Sequence, residues 1–127
     1  MIDHVTFGVS DFARSTRFYD RAFAPLGVRR LHDIPPERSG GVQATGYGDD
    51  RPWFWLFEEA ATHGRLHVAL RAANRAAVDA FYREAMAAGG RDNGPPGLRP
   101  LYDPHYYGAF VLDPDGHNIE AVCRAPA

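Results

Sequence analysis

Two histidines occupy equivalent positions in a sequence that repeats itself. When the chain is shifted by 63 residues, His4-Val5 aligns with His67-Val68 and Phe18-Tyr19 aligns with Phe81-Tyr82, with no gap from residue 4 to residue 28. Each histidine begins a segment in which apolar and polar residues alternate, and this pattern predicts a half-buried strand. Because duplicated modules can direct equivalent residues towards one point, we expect the two imidazoles to share a site.

A carboxylate near the end of the chain could complete a metal site. In the last predicted strand, Ile119 and Ala121 alternate with Glu120. If Ile119 packs under the helices, Glu120 lies on the opposite face, together with His4 and His67. Two imidazoles and one carboxylate with open coordination positions suit Fe(II), Mn(II) or Zn(II). The alternative interpretation is that each histidine is a hydrogen-bonded structural residue.

The elements that carry these residues predict two βαβββ modules. In each copy a helix follows the first strand, begins after a typical N-cap at Asp11 or Asn74, and ends at Gly27 or Gly89-Gly90. A short strand and a hairpin follow, and the second hairpin turns at Asp113-Pro114-Asp115-Gly116. We therefore predict an α+β fold of two tandem βαβββ modules, with a cavity on the sheet face opposite the helices.

The predicted modules divide a single domain that spans residues 1–127. Module 1 covers about residues 1–60, and module 2 covers about residues 64–124. Asp92 to Pro104 carries four prolines and two glycines and is predicted to be mostly loop. Long loops often form binding lids, and Arg99 in this segment could bind a substrate carboxylate or phosphate. The alternative interpretation is that Arg99 is a solvated surface residue.

Further candidate residues lie near the predicted site. An imidazole suits acid–base chemistry near neutral pH, so His105 is a candidate catalytic residue. Tyr106 or Tyr107 could donate a hydrogen bond to a developing oxyanion, which makes Tyr107 a second catalytic candidate and Tyr106 a candidate for substrate binding. The alternative interpretation is that these are ordinary loop and strand residues.

Two aromatic residues are candidates for the wall of the cavity. When the two hairpins are aligned at an offset of 65 residues, Trp55 takes the repeat position of Glu120. Trp55 and Phe110 could give the cavity an apolar wall, and Trp55 could also stack on an aromatic substrate or simply fill space. We predict that both contact the substrate.

Composition excludes several classes of function. The chain has a net charge of −2 with scattered basic residues, which argues against a nucleic-acid or membrane partner. All 14 cationic side chains are arginines, so no lysine base or Schiff base is available. The single cysteine, Cys123, excludes an intramolecular disulfide and a cysteine-based zinc cluster. With no signal peptide and no transmembrane segment recognisable, we expect a cytoplasmic protein.

The order and spacing of several short motifs resemble the vicinal oxygen chelate superfamily. This superfamily includes glyoxalase I, bleomycin-resistance proteins, fosfomycin-resistance thiol transferases and extradiol dioxygenases. The motifs that carry the resemblance are Asp3-His4-Val5, Ser10-Asp11, Phe18-Tyr19, His67-Val68 and the segment from Leu112 to Glu120. The resemblance covers nearly the whole chain and implies the same paired βαβββ fold.

The resemblance implies a metal bound by His4, His67 and Glu120. Glyoxalase I has a fourth ligand, a glutamate on the last strand of its first module, where this chain has Trp55. Three ligands look more like the dioxygenase and thiol-transferase branches, although both commonly place a tyrosine where this chain has Phe110. Bleomycin-type sequestering proteins generally lack the three ligands.

We therefore expect a divalent-metal-dependent enzyme of the dioxygenase or the lyase and thiol-transferase type, acting on a small oxygen-chelating substrate. The expected cofactor is Fe²⁺, Mn²⁺, Zn²⁺ or Ni²⁺. One alternative is a protein that binds and sequesters a small drug, and another is an interaction module that has lost its chemistry. We expect a homodimer, and the sequence leaves open whether the modules pair within one chain or between two.

Overall fold

The computed structural model describes all 127 residues and consists of two βαβββ modules, which confirms the predicted α+β fold. The first module contains β1 (Val5–Val9), α1 (Phe12–Phe23), β2 (Arg29–Ile34), β3 (Ala44–Gly48) and β4 (Pro52–Glu58), with short 3₁₀ turns at Ala24–Leu26 and Pro36–Arg38. The second module contains β5 (His67–Arg71), α2 (Arg75–Ala87), β6 (Arg91–Leu98), β7 (Tyr107–Leu112) and β8 (Asn118–Cys123). Neither helix is long and apolar enough to cross a membrane.

Each module forms its own four-stranded sheet, and the two sheets have the same topology. The strand orders are β1-β4-β3-β2 and β5-β8-β7-β6, and in both sheets the first strand runs parallel to the last. Thr6 lies opposite Trp55 in the first sheet, and Ala69 lies opposite Glu120 in the second. This register confirms that Trp55 and Glu120 occupy equivalent positions.

The helices begin and pack as the sequence predicts. The side chain of Asp11 accepts a hydrogen bond from the backbone nitrogen of Arg14, and that of Asn74 accepts one from Ala77. Both helices cover one face of the sheets and bury a single apolar core. Its largest fully buried aromatic side chains are Tyr19, Tyr47, Phe18, Phe23, Phe54 and Phe81.

The prediction that Asp92 to Pro104 is mostly loop is wrong for its first half, where β6 extends to Leu98. Proline lacks a backbone N–H and is tolerated in a sheet mainly on edge strands. Because β6 is the edge strand of its sheet, Pro95 and Pro96 can be part of it. The register between β6 and β7 shifts twice, which is how the strand accommodates its prolines and glycines.

Polar contacts join the turn between β7 and β8 to the first module. The Tyr19 hydroxyl donates to Asp113 Oδ2 at 2.5 Å, while Asp113 Oδ1 accepts from the backbone nitrogens of Asp115 and His117 at 2.9 and 2.8 Å. The His117 ring packs edge-on against Phe7, with ring centroids 5.0 Å apart. The backbone of His117 therefore stabilises the turn, and its ring contacts β1.

Candidate functional site

The second sheet brings a histidine and a carboxylate together on the face opposite the helices. His67 Nε2 lies 2.9 Å from Glu120 Oε1. Ile119 and Ala121 are fully buried in the core, so strand alternation directs Glu120 to the other face, as predicted. Glu120 is only 1% exposed, whereas the side chain of His67 is 47% exposed. The pair therefore has a buried carboxylate beneath an accessible imidazole.

Tyr106 fixes the second oxygen of this carboxylate. Its hydroxyl donates a hydrogen bond to Glu120 Oε2. The strand passes beneath this bond at Gly108, where an added Cβ would lie 3.1 Å from the Tyr106 ring and 3.2 Å from Glu120 Oε2. Gly108 was not predicted as part of the site, and its signal in the sequence is a lone glycine inside the second predicted hairpin. Burial and the hydrogen bond to Glu120 raise the pKa of Tyr106 to about 12.

Because the pKa of Tyr106 is raised, ionisation of its hydroxyl at alkaline pH is predicted to lower the free energy of unfolding. The folded-state pKa of about 12 lies above the ordinary value of 10.0, so this contribution to stability is complete below pH 10 and is lost as the pH rises towards 12. We expect Tyr106→Phe to lose less unfolding free energy than wild type across this interval, as measured by urea denaturation. Identical profiles for Tyr106→Phe and wild type would contradict this role.

The predicted aromatic wall is divided between the two sheets. Phe110 lies opposite Glu120, and its ring centroid is 6.0 Å from that of His67. Trp55 lies on the first sheet, where its indole covers Gly46 and lies 6.1 Å from the His32 ring. Each sheet therefore presents its own aromatic residue on the face opposite the helices.

His4 does not join His67 and Glu120 within one chain. Its Nδ1 lies 2.7 Å from Asp3 Oδ1, and its side chain is more than half exposed. His4 and His67 both line an open groove of about 550 Å³ beside the first strands of the two modules. No group of three or more His, Cys, Asp or Glu side chains in the chain is placed to hold a metal ion. The metal-binding role of His4, His67 and Glu120 stays a prediction.

Neither of the two predicted catalytic residues contacts Glu120. Tyr107 alternates with Tyr106 and faces the helices, where its hydroxyl donates to Asp79 Oδ1 of α2 at 2.6 Å. Its side chain therefore packs towards α2 and not beside Glu120, and its catalytic role stays a prediction. His105 is exposed, and its backbone nitrogen donates to Asp103 Oδ1 at 2.8 Å. No contact links the His105 imidazole to Glu120, and its acid–base role stays a prediction.

The chain belongs to the Glyoxalase/Bleomycin resistance protein/Dioxygenase superfamily, whose family model matches residues 1–121. This superfamily contains both metalloenzymes and bleomycin-resistance-like proteins. A glyoxalase/bleomycin resistance protein from Albidiferax ferrireducens T118 is similar at 29% identity with a TM-score of 0.80, and the match covers 98% of this chain and 99% of that chain. A search of curated proteins found no match.

Two more distant structures share the fold. A mutant of the fosfomycin resistance protein FosX from Listeria monocytogenes, complexed with Mn(II) and 1S,2S-dihydroxypropylphosphonic acid, is 18% identical with a TM-score of 0.70, covering 96% of this chain and 88% of that chain. A mutant of glyoxalase I from Zea mays is 21% identical with a TM-score of 0.72, covering 98% of this chain and 45% of that chain.

Proposed function

We propose that this protein is a divalent-metal-dependent enzyme that acts on a small substrate through two vicinal oxygens. The observation that carries the proposal is the pair formed by Glu120 and His67. A buried carboxylate is costly unless it is paired and hydrogen-bonded. Here the carboxylate lies under an accessible imidazole, on the sheet face that the helices leave uncovered. This position suits two metal ligands better than two side chains of a packed core.

The donor atoms of this pair fit a divalent cation. An imidazole nitrogen and a carboxylate oxygen are suitable ligands for Fe²⁺, Mn²⁺, Zn²⁺ or Ni²⁺. Tyr106 holds one Glu120 oxygen and leaves the other beside His67. A bound cation would supply a Lewis acid that stabilises an enolate, catecholate or alkoxide. Because one chain does not bring three ligands together, we propose a homodimer in which a second copy supplies His4.

The first module favours a reaction that needs only three protein ligands. Trp55 occupies the position that corresponds to Glu120, and an indole cannot coordinate a metal. This supports a dioxygenase or thiol-transferase type of reaction over a lyase reaction that needs a fourth ligand. The second candidate function is the sequestering of a planar drug, which the partly exposed Trp55 indole over Gly46 favours.

The metal content of the purified protein tests this proposal. We expect elemental analysis of untagged protein, prepared without chelators, to find about one metal ion per chain in wild type and almost none in His67→Ala. The matched control is His63→Ala, an exposed histidine four residues away that should keep its metal. Fe(II) would direct assays to catechols and oxygen, Mn(II) to thiol transfer, and Ni(II) or Zn(II) to isomerase-type substrates. Wild type that binds none of these ions after anaerobic reconstitution would leave drug sequestering as the better proposal.

A further inference from the structure

Arg99 lies over Phe110 on the second sheet and has no acidic partner. Arg99 follows β6 and is partly buried, with its guanidinium 5.5 Å from the centroid of the Phe110 ring. Its Nη2 donates to the carbonyl oxygen of Pro95 at 2.7 Å. No carboxylate lies within 4.0 Å of its nitrogens. The charge of Arg99 is therefore left without a counter-ion.

The backbone of β6 makes room for this guanidinium. An added Cβ would lie 3.1 Å from Nη1 at Gly97 and 3.3 Å from Nη2 at Gly94. Both positions are tighter than ordinary side-chain contacts, so the two glycines let Arg99 lie close against the strand. Arg124 shows the contrast on the same sheet: it stacks on Tyr106 at 4.8 Å, but its Nη1 lies 3.8 Å from Asp103 Oδ2.

Phe110 connects Arg99 to the His67–Glu120 pair. Its ring lies on β7, between β8, which carries Glu120, and β6, which leads to Arg99. The Phe110 ring centroid is 6.0 Å from the His67 ring and 5.5 Å from the Arg99 guanidinium carbon. A small ring lying over Phe110 would therefore reach towards both groups.

We propose that Arg99 forms an anion subsite and that the substrate carries a carboxylate or phosphonate group at the end opposite its vicinal oxygens. A guanidinium has five N–H donors in a fixed fork, and Arg99 uses one of them within the protein. The remaining donors can bind a planar carboxylate or a phosphonate at two points. The placement of the substrate oxygens rests on the function proposed above, whereas the anion subsite needs no metal.

Arginine labelling with phenylglyoxal tests the subsite on the full chain, both as purified and after chelator treatment. The probes are benzoate, phenylphosphonate and benzamide, of which benzamide is a neutral molecule of nearly the same shape as benzoate. Mass spectrometry reports the labelling rate at Arg99 and at Arg38, an exposed arginine that also lacks an acidic partner. We expect at least one anion to slow labelling of Arg99 about tenfold, benzamide to slow it less than about twofold, and Arg38 to be unaffected.

Two variants give the matched binding measurement. Arg99→Gln should weaken binding of the protecting anion about tenfold in equilibrium dialysis, and Arg38→Gln should leave it unchanged. Equal protection by benzamide, no protection by either anion, or unchanged binding by Arg99→Gln overturns the proposal. Protection of Arg99 by an anion does not require metal, whereas elemental analysis tests the metal separately. A failure of the anion subsite can therefore be distinguished from a failure of the proposed metal chemistry. The relative protection by benzoate and phenylphosphonate decides between a carboxylate and a phosphonate.

Discussion

Replacing Asp113 by alanine is expected to lower the free energy of unfolding by about 3 to 5 kcal/mol. This carboxylate is 1% exposed and accepts three hydrogen bonds, from the Tyr19 hydroxyl and from the backbone nitrogens of Asp115 and His117. Alanine would leave these donors without their acceptor in a region that water reaches poorly. Each unsatisfied buried donor costs about 1 to 3 kcal/mol, and partial relaxation keeps the total below the simple sum.

Asp115 offers a matched control two residues away. Its carboxylate accepts hydrogen bonds from the backbone nitrogen and the hydroxyl of Ser10 in an exposed contact. We expect Asp115→Ala to cost less than about 1 kcal/mol, because water can replace exposed partners. Urea denaturation of both variants makes the comparison, and an Asp113→Ala variant no less stable than Asp115→Ala would show that the buried network contributes little.

The Asp113 network matters for the site because it joins two elements from different modules. Tyr19 lies on α1, whereas Asp113 begins the turn that leads into β8 and so to Glu120. This contact and the packing of Phe7 on His117 help to hold the modules in a fixed relation. The turn that leads into β8 is therefore attached to the first module, although the two sheets share no hydrogen-bonded strands.

The parts of the fold that depend on local pattern could be predicted from the sequence. Strand alternation has a period of two, so it placed Glu120 on the opposite face of β8 from Ile119. The alignment of the two hairpins at an offset of 65 residues placed Trp55 at the position equivalent to Glu120. The helix starts also followed from local chemistry, since the side chains of Asp11 and Asn74 accept hydrogen bonds from the first turns. These features need no knowledge of how the modules are arranged.

The parts that depend on exact register or on distant contacts could not be predicted. Tyr106 and Tyr107 are adjacent, and a shift of one residue exchanges the faces they occupy, so sequence alone could not decide which of them meets Glu120. The prolines of β6 made this segment look like a loop, because nothing in the local sequence shows that a strand lies at the edge of its sheet. The position of His4 depends on how the modules pack together, which is set by contacts between residues far apart in the chain.

Heterodimers of one His4→Ala chain and one His67→Ala chain are expected to hold about half the metal of the wild-type dimer. In the proposed dimer each site takes His4 from one chain and His67 from the other. Such a heterodimer therefore has one site with both histidines intact and one site with neither. Two different affinity tags allow it to be purified away from both homodimers, in which every site lacks one histidine and should be empty.

The reciprocal heterodimer makes the test decisive. It pairs a wild-type chain with a chain that carries both His4→Ala and His67→Ala, so it contains the same numbers of native and replaced histidines. If the sites are shared between chains, each site lacks one histidine and this heterodimer should bind almost no metal. If each site instead lies within one chain, the wild-type chain keeps its own site and this heterodimer should hold about half the metal. The heterodimer of the two single variants should then bind almost none. The two heterodimers have the same composition and differ only in how the replacements are distributed between the chains. The one that binds metal in elemental analysis therefore shows whether a site is shared between chains or lies within one.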